Sequence, residues 1–165
     1  MIDEYGLEVG DYVVYPAHGV GQLVNIEVHE IAGTTVQFYV INFEKEKMTL
    51  RLPPQKARQA GLRMLSSRAD IEQAYQILST RVKPKRAMWG RRAQEYETKI
   101  NSGSPIAIAE VLRELYGRNT DVDQSYSERQ IYQTALERLI REIAIIEKVD
   151  EKSAINLVEK YLQAA

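Results

Sequence analysis

The chain contains no cysteine, one tryptophan, two phenylalanines and two histidines in 165 residues. Without cysteine there is no disulfide framework and no thiolate metal site. The two histidines, His18 and His29, lie on separate predicted strands or turns. No H-E-x-x-H pattern or clustered carboxylate–histidine spacing points to a metal. No Ser/His/Asp order, P-loop or G-x-S-x-G pattern occurs, so an enzyme is not expected. Gly19-Val-Gly21 is a fragment of a phosphate-binding pattern. It falls between two strands rather than ahead of a helix, and it reads as turn chemistry. No apolar run approaches the roughly 20 residues of a membrane span. The N-terminal MIDEYGLEVGDY is acidic and has no apolar core, so it is not a secretory signal, and a reducing cytosol is the expected home.

Apolar residues make up 44% and charged residues 27%, which suits an ordinary globular protein of one domain or two small ones. The formal net charge of −1 conceals an asymmetry. Residues 1–66 carry six Lys/Arg against eight Asp/Glu, residues 67–119 ten against six, and residues 120–165 six against nine. The positive charge is densest from Arg81 to Arg92, RVKPKRAMWGRR, where six of twelve residues are Lys or Arg and none is acidic. The only tryptophan, Trp89, lies inside that run. Cations attract phosphates, and an indole can stack on a base or wedge between two. Because phosphate binding scales with the charges neutralised, a weakly basic middle between two acidic parts should hold DNA poorly alone. Another contact must bring it there.

The first 66 residues read as β-structure. Tyr12–Tyr15, Val20–His29, Thr35–Phe43, Met48–Leu52 and Leu62–Leu65 are short, apolar, and rich in β-branched or aromatic residues. Gly19, Gly33, the charged EKEK of 44–47 and Pro53-Pro54 separate them. Five such strands in so short a stretch predict a small, strongly bent barrel of the SH3 or Tudor kind. From Ser67 the apolar period becomes helical, with Ile71, Ala74, Tyr75 and Leu78 on one face. Lys83-Pro84 breaks that helix. Trp89, Ala93, Tyr96 and Ile100 form the next stripe, ended by Asn101-Ser-Gly103. Ser104-Pro105 opens a further helix. Ser127-Glu-Arg-Gln130 has capping-box spacing, with Tyr126 and Ile131 as its staple, and Asp150 caps a last helix. The expected architecture is α+β: a barrel over 1–66, then a bundle of about five helices over 67–165.

Two readings of Trp89 compete. As the first residue of an apolar stripe it is a core anchor. As a residue at the very start of a helix, after a Pro-broken linker, it can project from the bundle. Arg91 and Arg92 favour the second reading. They stand in the first helical turn, where cations oppose the helix dipole, and an anionic partner would remove the conflict. Lys83, Lys85 and Arg86 read either as a solvated linker or as phosphate contacts.

Taken together, GDYVVYPAHGVG, FYVINF, MTLRLPP, GLR, MWGRR, AEVLRELY, and SERQIY leading to IAIIE resemble the CarD/CdnL family of bacterial transcription regulators over essentially the whole chain. The resemblance implies a two-domain partner of RNA polymerase. Its Tudor-like domain would dock on the β subunit. Its helical domain would place a tryptophan in the minor groove of promoter DNA, at the junction of duplex and melted bubble. On that resemblance Trp89 is the wedge, Arg91 and Arg92 the basic pair after it, and Arg129 a basic position near DNA. Arg51 and Pro53, with Val40 on the neighbouring strand, face the polymerase. Two positions depart from the pattern. His29 replaces an arginine that some members use against polymerase, and Gln94 replaces a lysine five residues after the tryptophan.

The expected function is therefore non-enzymatic regulation of transcription initiation, stabilising the promoter open complex without a cofactor or metal. The protein is expected to be a monomer, cytoplasmic, and associated with the nucleoid through polymerase, with no membrane contact. Lys85, Arg86, Arg91 and Arg92 would hold phosphates, and the barrel would pair strand edge to strand edge with its partner. The rival from another class is a protein–protein adaptor that buries Trp89 and never touches DNA. A polymerase-binding module of a repair-coupling translocase has a related β domain, but this chain has no P-loop or room for motor domains.

Overall fold

A computed structural model describes residues 6–82, 88–119 and 126–165. It divides into two compact units, Met1–Leu65 and Ser66–Ala165.

The first unit is one antiparallel sheet of β1 (Tyr12–Tyr15), β2 (Gly19–Ile31), β3 (Thr34–Phe43), β4 (Met48–Leu52) and β5 (Arg63–Met64). The strand order β4-β3-β2-β1-β5 returns the last strand beside the first, the pairing of a small SH3-like or Tudor-like barrel. Val13, Leu23, Tyr39, Ile41, Phe43 and Leu52 form its core, all from one face of the sheet. A β-bulge at Val24 keeps that pattern. Leu23 pairs with Ile41 and Asn25 with Val40, so the extra residue returns Ile26 to the core side opposite Tyr39. Beyond Ile26 the β2–β3 hairpin runs out past the core, and Val28 is 65% exposed although it shares the phase of Ile26. The hairpin closes through Ala32 (φ 52°) and Gly33 (φ 78°), the two positive dihedrals a type I′ turn needs.

Pro53-Pro54 ends β4 as expected, but it also starts a helix. Pro53 is the extended residue before α1 (Pro54–Gln59), and Pro54 takes the first helical position, where its missing N–H costs nothing.

The second unit is a bundle of α2 (Arg68–Leu78), α3 (Trp89–Asn101), α4 (Pro105–Asn119), α5 (Tyr126–Glu147) and α6 (Glu151–Gln163). Three side-chain caps form, at Ser104 and Asp150 as anticipated from sequence and at Ser67 in addition. Ser67 Oγ accepts from Asp70 N–H at 3.2 Å, Ser104 Oγ from Ala107 N–H at 3.4 Å, and Asp150 Oδ1 from Ser153 N–H at 2.7 Å. The capping box at Ser127 does not form, because Ser127 lies inside α5, and Tyr126 is 71% exposed rather than stapled to Ile131. α4 packs on α2, α3 and α5, and its buried Ile108, Ala109, Val111, Leu112 and Leu115 occupy the centre of the core. At the start of α2, Ser66 N–H donates to the buried carboxylate of Glu142 on α5 at 2.6 Å. No helix among the described residues is long and apolar enough to cross a membrane.

Candidate functional site

The first turn of α3 is built against the usual rules for helix starts. Its N-cap is Met88, in extended conformation, with no side chain to receive the free N–H groups. The turn holds no acid, while Arg91 and Arg92 add positive charge where the dipole is already positive. Met88 is 85% exposed, an unusual state for a large apolar side chain.

Trp89, the next residue, is half-buried and packs against the helical core from its edge. It is neither the fully projecting wedge nor the sealed core anchor. Its ring is tilted 51° to that of Tyr96, with 6.2 Å between centroids. Arg92 lies with both rings. Its guanidinium carbon is 5.7 Å from the Trp89 centroid and 5.5 Å from that of Tyr96, within cation–π range. Its Nη2 donates to the Tyr96 hydroxyl at 2.8 Å. Tyr96 is also hydrogen-bonded to the buried Glu114, and burial, above all, holds its phenol above its ordinary pKa.

Arg92 corrects the sequence expectation. It was to be a solvated phosphate contact, yet it is 3% exposed. The spacing explains this: Arg92 is three residues after Trp89 and four before Tyr96, which puts all three on one helix face. Arg91, one residue earlier, is exposed, and with Gln94, Glu95, Thr98 and Lys99 it lines a shallow open groove along α3. Lys99 in that groove is paired with Glu110 at 3.1 Å. Arg129 is exposed near the start of α5. Lys85 and Arg86 lie outside the described residues.

The second cluster is on the sheet face turned away from the barrel core. Val40 stands directly opposite Arg51, and Asn25 opposite Val40. Directly opposed residues share a face, so Glu27, His29, Val40 and Arg51 line the same side. Glu27 joins the others: Arg51 Nε donates to its Oε1 at 3.0 Å, and His29 Nε2 lies 3.0 Å from its Oε2. The Arg51 hydrogen bond, reinforced by that from His29, holds the Glu27 carboxyl below its ordinary pKa. Arg51 and His29 are exposed and Pro53 is half-buried. Val40 is 5% exposed, which corrects its assignment as a surface contact: its methyls are not available to a partner. The sequence reading missed Glu27, although its i,i+2 spacing from His29 was enough to put the two on one face. β4, which carries Arg51, lies at one end of the strand order, so one backbone edge is without a strand partner among the described residues.

Among the described residues no group of His, Cys, Asp and Glu could hold a metal ion.

Two family models match this chain in succession. Residues 7–66 match the CarD-like/TRCF RID domain, and residues 73–159 match the CarD C-terminal domain. The chain is 28% identical over 145 residues to the Bacillus subtilis (strain 168) protein named "Putative transcription factor YdeB", covering 88% of this chain and 95% of that protein. Among solved structures it matches the solution NMR structure of the 72-residue N-terminal domain of Myxococcus xanthus CarD. That match is 36% identical, covers 35% of this chain and 77% of that one, and has a TM-score of 0.30.

Proposed function

This chain belongs to the CarD family of transcription regulators, and we propose that it binds the RNA polymerase β subunit and stabilises the promoter open complex. In this reading the barrel is the tether. Arg51 forms an ion pair with polymerase, Pro53 and His29 flank it, and the free edge of β4 receives a partner strand. The tether raises the helical unit to an effective concentration near ~1 mM at the promoter. A weak basic surface is then sufficient. Arg91 and Arg129, with Lys85 and Arg86, hold backbone phosphates and set orientation. Trp89 enters the minor groove where duplex gives way to bubble.

The observation that carries this reading is the first turn of α3. A half-buried indole, an 85% exposed methionine and an exposed arginine are gathered at a helix start that spends stability on all three. A face evolved only for stability would cap this turn with Ser or Asp and fill it with acids. Bases stacked on aromatic side chains are worth roughly 1–3 kcal/mol each, and 1.4 kcal/mol is about tenfold in an equilibrium. One wedge that fits only distorted DNA shifts a marginal promoter toward the open state by that order. Sequence preference is then indirect, favouring steps that unstack easily.

The test is a promoter-opening assay with polymerase and the Trp89→Ala variant. Open-complex lifetime should fall while pull-down of the β subunit stays normal. An unchanged lifetime with the fold preserved leaves the adaptor reading in its place.

A further inference from the structure

We propose that Arg92 is a positioning residue for Trp89: its buried guanidinium, packed against both the Trp89 and Tyr96 rings, fixes the direction in which the indole leaves α3. This rests on the reading of Trp89 as the DNA wedge and adds to it the device that aims the wedge. A side chain that neutralises phosphate must be in water until DNA arrives. Arg92 is 3% exposed, and its Nε has no hydrogen-bond partner at all. Burying a guanidinium is costly unless something replaces its hydration. Here the replacements are two aromatic faces and one phenol oxygen. The hydroxyl that accepts from Arg92 is itself tied to Glu114, which is 6% exposed on α4. A continuous ladder thus runs from the surface indole through Arg92 and Tyr96 to a carboxylate in the bundle core. It ties the half-buried Trp89 to a rigid element.

Such an anchor acts through entropy. A tryptophan free to rotate about two side-chain bonds must be ordered when it enters DNA, and ordering one such side chain weakens binding by roughly two- to tenfold. An indole already held in one rotamer loses less.

Trp89 is the only tryptophan, so its emission reports on this ladder without labelling. The experiment compares full-length wild type with Arg92→Met, Arg92→Lys and Arg91→Gln. Emission maximum, anisotropy and acrylamide quenching are read on the free protein. Open-complex lifetime is read with polymerase across a salt series. Arg92→Met should give red-shifted, less anisotropic, more quenchable emission and a lifetime roughly two- to tenfold shorter, with the salt slope unchanged. Arg92→Lys should recover part of both signals, because an ammonium still lies over a ring. Arg91→Gln should leave emission alone and reduce the salt slope by about one, as loss of a phosphate contact does. In a Trp89→Ala background Arg92→Met should shorten the lifetime no further. Should Arg92→Met fail to fold by circular dichroism, Tyr96→Phe removes only the hydroxyl that receives the guanidinium and must shift emission in the same direction.

Unchanged emission in whichever of these two variants folds overturns the proposal. So does a salt slope that falls by about one in Arg92→Met, which would make Arg92 a phosphate contact after all. A Trp89→Ala variant with normal open-complex lifetime instead sinks the wedge reading, while the emission measurements still judge the ladder by themselves.

Discussion

Glu27 and Arg51 stand two strands apart in the sheet, on β2 and β4, yet the arginine Nε reaches across β3 to the glutamate at 3.0 Å. Arg51 is therefore already oriented, along the face it shares with His29, before any partner arrives. An exposed arginine free to sample its rotamers loses that freedom on docking; one braced by a neighbour loses less. The brace has a second consequence. Glu27 already satisfies part of the Arg51 charge, so under the proposed function a polymerase carboxylate would have to share Arg51 with Glu27 or displace Glu27.

Substituting Arg51 should separate recruitment from folding. Arg51→Glu places a carboxylate beside Glu27 and should abolish pull-down of the β subunit while the protein stays folded, since Arg51 is exposed and the pair is screened. Arg51→Ala should raise the Glu27 titration midpoint, because the hydrogen bond that mainly depresses it is gone. The sign follows from linkage. A depressed carboxyl contributes stability above its unfolded pKa, and that contribution is lost as pH falls through the folded value. In wild type the loss comes at more acidic pH than in Arg51→Ala. Carboxyl NMR across an acid titration measures both midpoints, and equal midpoints would mean the pair does not form in solution.

Met88 should behave as a residue kept at the expense of the helix it starts. Met88→Ser supplies the missing cap and should stabilise the free protein by about 0.5–1 kcal/mol in urea unfolding. The same change removes the large exposed apolar side chain next to Trp89, so open-complex lifetime should fall, by less than in Trp89→Ala. A variant that is both more stable and better at promoter opening would show that Met88 has no part in the contact.

Much of this architecture is legible in the sequence because local rules and tertiary packing agree. The strands carry β-branched runs between glycines and prolines, and the caps at Ser104 and Asp150 precede helices that do pack. What is not legible has identifiable causes. TVQFYVINF is apolar on both faces, so alternation does not reveal that Tyr39 and Ile41 fill the core while Val40 faces the other side. The bulge at Val24 shifts the phase of β2 without any glycine to mark it. Pro53-Pro54 reads as a strand stop, and the helix it opens is only six residues long. Arg92 misleads for a different reason. Charge predicts exposure, and only the i+3 and i+4 spacing to Trp89 and Tyr96 warns that aromatic faces can hold a guanidinium indoors. The ion pair of Glu27 with Arg51 joins residues 24 apart in sequence, and no local pattern announces it.

Gly19-Val-Gly21 divides into two roles, and the division can be tested. Gly19 has φ 82° at the turn into β2, the left-handed conformation glycine adopts without strain. Gly21 is needed for space instead. A Cβ there would lie 2.8 Å from Ile41 Cγ2 and 2.8 Å from Phe43 Cε1, closer than atoms approach in packed proteins. Phe43 is a core ring with little room to retreat, so Gly21→Ala should destabilise the barrel by roughly 1–3 kcal/mol, the usual cost of overpacking. Gly90 is the internal control. It lies in the first turn of α3, and a Cβ added there would meet nothing within 4 Å. Gly90→Ala should therefore be neutral or stabilising by up to ~1 kcal/mol. Urea unfolding followed by tyrosine emission and circular dichroism reads both. If Gly21 and Gly90 proved equally tolerant of alanine, the close packing of β2 on Ile41 and Phe43 would not exist in solution.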